Sequence, residues 1–234
     1  MSRNLTPFRG WTRVSGAGGF TTRQDLNKEV PRQRIWHQLQ IGASVIGQIL
    51  PNFTPIMNYS DPAEIFPIVD EEGNTIGEAP RSVCHDGKSM LLHPVVHIHL
   101  FNSAGELFLQ KRSANKDIQP GKWDTSVGGH IGCGEPVETA LEREASEELG
   151  LKGLKPEFIG KYIWESKREK ELVYSWSASG DEYPEINPDE IEEGKYWTIS
   201  EIKASLGKSI FTPNFEYEFS LLLIPWLNNI SDTK

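Results

Sequence analysis

Residues 129–151 read GHIGCGEPVETALEREASEELGL, and they restrict the fold more than any other stretch of the chain. Pro136 stands where a helix can begin, because the first turn has no use for its missing N–H, and Gly150 stands where one ends. The pattern between them predicts a helix over 137–149. At 100° per residue Leu141, Ala145 and Leu149 form one apolar stripe, which needs a sheet or another helix to cover it. Glu144, Glu147 and Glu148 fall within about 100° of one another on the adjacent face. Carboxylates this close repel and depress helix stability. A solvated acidic face is the plain structural reading. The i, i+3, i+4 spacing also sets three oxygen ligands around one point, the ligand set that hard cations such as Mg²⁺ require. Arg143 is spaced to pair with Glu135 and tie the Gly-rich loop to the helix.

The rest of the chain supplies the cover. Glu64 to Asp70 reads as a strand, followed by a turn at 71–74 and a short strand over 76–81. His93 to Phe101 (HPVVHIHLF) is apolar and β-branched enough for a buried strand. A turn at 102–105 returns it as a hairpin through Glu106 to Arg112. Residues 113–122 read as a loop, 123–127 as a short strand before Gly128-Gly129, and 158–164 and 172–177 as strands around a charged turn. Tyr196 to Ile199 is a further strand. Ser200 to Leu206, capped by Ser200, and Asn214 to Trp226 read as helices. Strands and helices interleave and several strands form hairpins, so the fold class is α/β, a mixed sheet with helices packed on it.

Charge divides the chain. Residues 1–56 carry seven basic and two acidic side chains, a net +5, which leaves −14 for the remainder of a chain whose total is −9. This segment shows no sustained period and reads as a basic extension ahead of a domain at 57–234. Three readings stand for it: a tail ordered on binding, a transit-like leader, or sequence upstream of a start at Met57. Without a secretory h-region the expected location is the cytoplasm. No stretch reaches the ~18 apolar residues of a membrane span. The acidic balance argues against a nucleic-acid partner. The two cysteines, Cys84 and Cys133, make neither a disulfide framework nor a four-Cys zinc site.

The segment 129–151 matches the Nudix box, G-x5-E-x7-R-E-U-x-E-E-x-G-U, where U is aliphatic. Gly129, Glu135, Arg143, Glu144, Glu147, Glu148 and Gly150 occupy its fixed positions, and Ala145 and Leu151 its aliphatic ones. By this resemblance the chain is identified as a member of the Nudix hydrolases. The resemblance implies an α/β/α sandwich and Mg²⁺-dependent cleavage of a diphosphate bond, with Mn²⁺ as an alternative ion. It also implies metal binding by Glu144, Glu147 and Glu148 with the Gly129 carbonyl assisting, and a base that is a box glutamate or one from a later loop.

The surroundings resemble a narrower branch, that of type I isopentenyl-diphosphate isomerase. The run LQKRSANKDIQPGKWDTSVGGH (109–130), together with His85, His93 and Glu169-Lys170-Glu171, carries this likeness over about residues 64–200. It implies His85, His93, His130, Glu169 and Glu171 as ligands of a second metal, Glu171 as a catalytic group beside Glu147 and Arg143, and Arg112 and Lys116 as phosphate binders. Two departures oppose isomerisation. The position of the isomerase's catalytic cysteine falls on Gly128, with Cys133 five residues further on, and the Nudix box is complete where isomerases tend to degrade it. The plain readings stand beside these. His97 and His99 alternate with apolar residues and read as structural, Trp123 as core with one exposed edge, and Arg112 and Lys116 equally as solvated loop charges. The expected function is a Mg²⁺-dependent hydrolase of a small-molecule diphosphate, working as a monomer or homodimer. The isomerase and a non-catalytic ligand-sensing module are the alternatives.

Overall fold

In the computed structural model, residues 63–116 and 118–232 are described, with side chains to residue 230. The basic segment 1–56 lies outside them. Two sheets organise the described residues. A small one pairs β1 (Ile65–Val69) with β2 (Thr75–Pro80), followed by one helical turn, α1 (Arg81–Cys84), which the sequence pattern does not announce. The large sheet is built on β3 (Leu92–Phe101), which runs parallel to β8 (Lys170–Ser179) and antiparallel to β6 (Val127–His130). β7 (Glu157–Glu165) flanks β8. β4 (Leu107–Arg112) pairs with β5 (Trp123–Asp124) and with β9 (Ile191–Trp197).

Strand alternation decides what each face of β3 receives. Val96, Ile98 and Leu100 point to α2 (Val137–Leu149) and meet its stripe of Leu141, Ala145 and Leu149. Phe101 belongs to the opposite layer, where Phe211, Phe215, Phe219 and Leu223 are all fully buried. That layer holds α3 (Ile199–Ser205), α4 (Pro213–Glu218), a π-helical turn at Phe219–Leu223 and α5 (Ile224–Asp232). Helices thus cover both faces of a mixed sheet, the expected α/β/α sandwich. The C-terminal apolar run packs on its own sheet.

Several local readings shift. The expected strand at 123–127 is two strands, and Gly128-Gly129 lie inside the second. The Ser126 hydroxyl donates to the Phe108 carbonyl and accepts from the Leu100 N–H, which lets the chain cross from β4 to β3. The strand expected to open at Tyr196 opens at Ile191. Its acidic residues Glu192 and Glu193 are exposed while Ile191 and Trp197 are buried, so the charge obscures a strand. The helix at 199–205 is capped by Thr198, not Ser200. Thr198 Oγ1 accepts from the Glu201 N–H and the Glu201 carboxylate accepts from the Thr198 N–H, a reciprocal capping box. The long C-terminal helix starts at Pro213 under a Thr212 cap and is interrupted by the π turn.

Candidate active site

Arg143 organises the loop–helix segment. Its Nε and one terminal nitrogen donate to both oxygens of Glu135, each at 2.8 Å, and Glu135 also accepts from the Gly132 N–H. Its other terminal nitrogen donates to Glu144 at 2.7 Å and Glu147 at 3.3 Å. A further bond to the His130 carbonyl ties the helix to β6. Gly129 faces Glu144 so closely that any Cβ there would overlap the carboxyl group. At the helix end Gly150 takes φ +66°, where its N–H and that of Leu151 close the last carbonyls.

The carboxylates lie in a poor place for charge. Glu144 and Glu148 are buried. Burial, partly offset by Arg143, pushes Glu144 up to about 7. Burial also raises Glu148 well above the ordinary carboxylate range, and Glu144 and Glu190 add to the effect. Glu148 is held by the Gly128 N–H at 3.2 Å and the Gln110 amide at 3.0 Å. Glu190, just before β9, is the carboxylate that motif reading misses. It is buried, pairs with Lys116 at 2.9 Å, and leaves Oε1 buried with no partner among the described residues. Carboxylates gathered this way, with Glu148 met only by neutral donors and one oxygen of Glu190 orphaned, form a donor set that fits a hard divalent cation.

On the other side of β6 lies a histidine group. One ligand nitrogen from each of His85, His93 and His130 lies within 4.8 Å of the others. His93 Nδ1 donates to the Leu91 carbonyl at 2.9 Å, which leaves Nε2 a buried acceptor without a partner among the described residues. Phe66 stacks on His130 with ring centroids 4.1 Å apart. Burial and Arg81 hold His85 down at about 3, and burial likewise lowers His93 and His130. Neutral imidazoles are the metal-binding form. Glu169 lies 3.6 Å from His85, and burial together with Glu171 raises it to about 8. Glu171 stands opposite His93 in the β3–β8 register and accepts from the Asn214 amide at 3.3 Å. These donors fit a transition metal.

The expected phosphate binders sit in ion pairs. Arg112 bonds Asp124 at 3.1 Å and the Ile118 carbonyl, and Lys116 bonds Glu190. Cys133 is exposed, with its thiol directed to the Ile65 carbonyl, and Cys84 is buried. His97 and His99 both reach Glu218, a fully buried carboxylate at the end of α4.

A family model described as the NUDIX domain matches residues 91–215, more than half of the chain. The chain belongs to the Nudix family. This Nudix protein is 32% identical over 134 residues to an uncharacterized Nudix hydrolase of Pseudomonas aeruginosa, a match covering 57% of this chain and 78% of the relative. It is also 31% identical over 150 residues to isopentenyl-diphosphate Delta-isomerase 2 of Photorhabdus laumondii, covering 62% of this chain and 84% of that one. Among solved structures it resembles DR0079 from Deinococcus radiodurans with a TM-score of 0.55 and 26% identity, over 64% of this chain and 92% of that one. It is a hydrolase of pyrophosphate-containing compounds in an isomerase-like branch of the family. No helix of the described residues is long and apolar enough to cross a membrane.

Proposed function

We propose that this Nudix enzyme is a Mg²⁺-dependent hydrolase that cleaves the diphosphate bond of a nucleotide-type or other diphosphate-containing metabolite. The observation that carries the reading is the buried pair Glu144 and Glu148, both pushed upward in pKa, gathered against Gly129 and Glu190. Glu144, Glu147, Glu148 and the Gly129 carbonyl are the ligands, with His130 at the border of the second group. A bound divalent cation supplies neutralisation of the phosphoryl oxygens and lowers the pKa of a water. Arg143 holds Glu144 and Glu147 in place and keeps its own charge beside them. Glu147, or Glu171 from the histidine side, takes the proton of the attacking water. Arg112 and Lys116 provide positive charge at the phosphate end. His85, His93 and His130 with Glu169 and Glu171 hold a second, transition-metal ion. The enzyme acts on a small molecule without a nucleic-acid or membrane partner, as a monomer or homodimer in the cytoplasm, with residues 1–56 as an extension.

The isomerase reading draws on the Photorhabdus relative. Gly128 speaks against it, because it brings no thiol to the site. A ligand-sensing module has no need of a complete carboxylate set. The deciding experiment is a panel of nucleoside diphosphates, nucleotide sugars, dinucleotides and isopentenyl diphosphate, incubated with the purified chain and Mg²⁺ and resolved by mass. Phosphate or monophosphate products that vanish with EDTA support the proposal. Dimethylallyl diphosphate formed without hydrolysis overturns it.

A further inference from the structure

His97 has more invested in its orientation than a core histidine needs. Its Nδ1 lies 2.7 Å from Glu218 Oε2, and the other oxygen of that carboxylate accepts from His99 Nε2 at 3.0 Å. His99 in turn contacts the Thr125 hydroxyl at 3.1 Å. Glu218 is fully buried, so its charge is tolerable only because these partners meet it. His99 is sealed off, whereas the His97 side chain keeps 9% of its surface. Its Nε2 has no hydrogen-bond partner among the described residues and lies 3.5 Å from where a Cβ on Gly128 would sit. Gly128 is half-buried and pairs directly with His97 in the β3–β6 register. The missing side chain therefore leaves room for one small group, lined by the edge of the His97 ring (Cδ2 at 3.4 Å, Nε2 at 3.5 Å) and by the Thr125 methyl at 3.4 Å. Burial works against the imidazolium, but Glu218 outweighs it and raises His97 to about 9, so both nitrogens donate at neutral pH.

The gap calls for a particular kind of group. A hydrocarbon there would leave the Nε2–H unpaired in a largely desolvated place, which costs binding. A second polyanion is also disfavoured, because the charges of Asp124 and Glu171 bear on the same imidazole. A neutral oxygen suits it. We propose that His97, positioned by Glu218, is a substrate-contacting residue that donates Nε2–H to a hydroxyl or carbonyl oxygen on the group attached to the diphosphate, and so selects oxygen-rich diphosphates over prenyl-type ones. This rests on the hydrolase reading for its substrate class.

The test is long-range ¹H–¹⁵N NMR of the full chain with Mg²⁺, with the histidine signals assigned through His97→Gln and His99→Gln. The probes are α,β-methylene-ADP, inorganic pyrophosphate and isopentenyl diphosphate. The His97 Nε2 signal is expected to move with the nucleotide analogue and to stay with the other two, while His99 does not move. No shift with any probe, or equal shifts with isopentenyl diphosphate, overturns the proposal. In kinetics with ADP-ribose, His97→Leu should lower kcat/KM at least tenfold, mainly through KM, and His97→Gln should recover part of it. A purely structural histidine would lower Tm and leave KM unchanged in the folded variant, and that result also overturns the assignment. A parent enzyme that hydrolyses nothing in the panel would defeat the hydrolase reading alone, because the NMR shifts decide His97 without turnover.

Discussion

The two sides of β6 solve the same problem in different ways. On the helix side, acidic groups from one short segment gather around a single organiser, Arg143, whose partners Glu135, Glu144 and Glu147 all lie within eight residues of it. On the other side, His85, His93, His130, Glu169 and Glu171 come from four separate parts of the chain and meet through the register of β3, β6 and β8 and the placement of His85 after α1. In the first group burial raises Glu144 and Glu148, and its oxygens suit a hard cation. In the second burial keeps the three imidazoles neutral, and they suit a softer one. A site built from one segment tolerates changes elsewhere in the fold. A site built from register depends on the whole sheet.

The largest effect is expected on the helix side. Glu148→Gln should reduce turnover by about 10²-fold or more while the fold stays intact, since it neutralises a proposed metal ligand without changing shape. Steady-state rates with a thermal melt check it, and unchanged turnover would break the assignment. Arg143→Ala removes the organiser and not a ligand, so a loss of about 10–100-fold in activity or Mg²⁺ affinity is expected. His93→Gln addresses the other side. Bound transition metal measured by elemental analysis should fall to background, whereas Mg²⁺-dependent activity should fall less than in Glu148→Gln. If both variants lose the same metal, the two groups are one site.

These two sides also differ in how far the sequence reveals them. The loop–helix segment was readable because every contact of Arg143 lies on neighbouring turns of chain, apart from one to the His130 carbonyl thirteen residues away. His85, His93 and His130 entered through family likeness, because nothing local to any of them points to the other two. Glu190 and Glu218 were not readable at all. Glu190 sits in an acidic run that looks solvated, and Glu218 meets His97 from 121 residues away. The same limit explains the strand hidden at 191–197 and the crossing at Ser126, both of which depend on where β4 lies. Alternation along β3 made that strand legible, but it could not say that its polar face would carry a buried carboxylate.

Smaller effects sharpen the comparison. His97 rises from 6.5 to about 9 and Glu218 falls below its ordinary 4.5. The stability contributed by His97 is therefore complete below pH 6.5 and is lost as pH climbs toward 9. That of Glu218 is complete above 4.5 and is lost as pH falls below it. The Tm difference between the parent and Glu218→Gln should thus be larger at pH 6 than at pH 9.5, and a constant gap would contradict the pairing. Thr198→Ala, far from both groups, should cost about 1 kcal/mol of stability through the lost cap and leave turnover unchanged.

The central claim is that this chain breaks a diphosphate with water. The most direct measurement is turnover of the best panel substrate in H₂¹⁸O with Mg²⁺, with products weighed by mass spectrometry. One ¹⁸O in a released phosphate or monophosphate is the predicted result. A rearranged diphosphate that carries no label would contradict it.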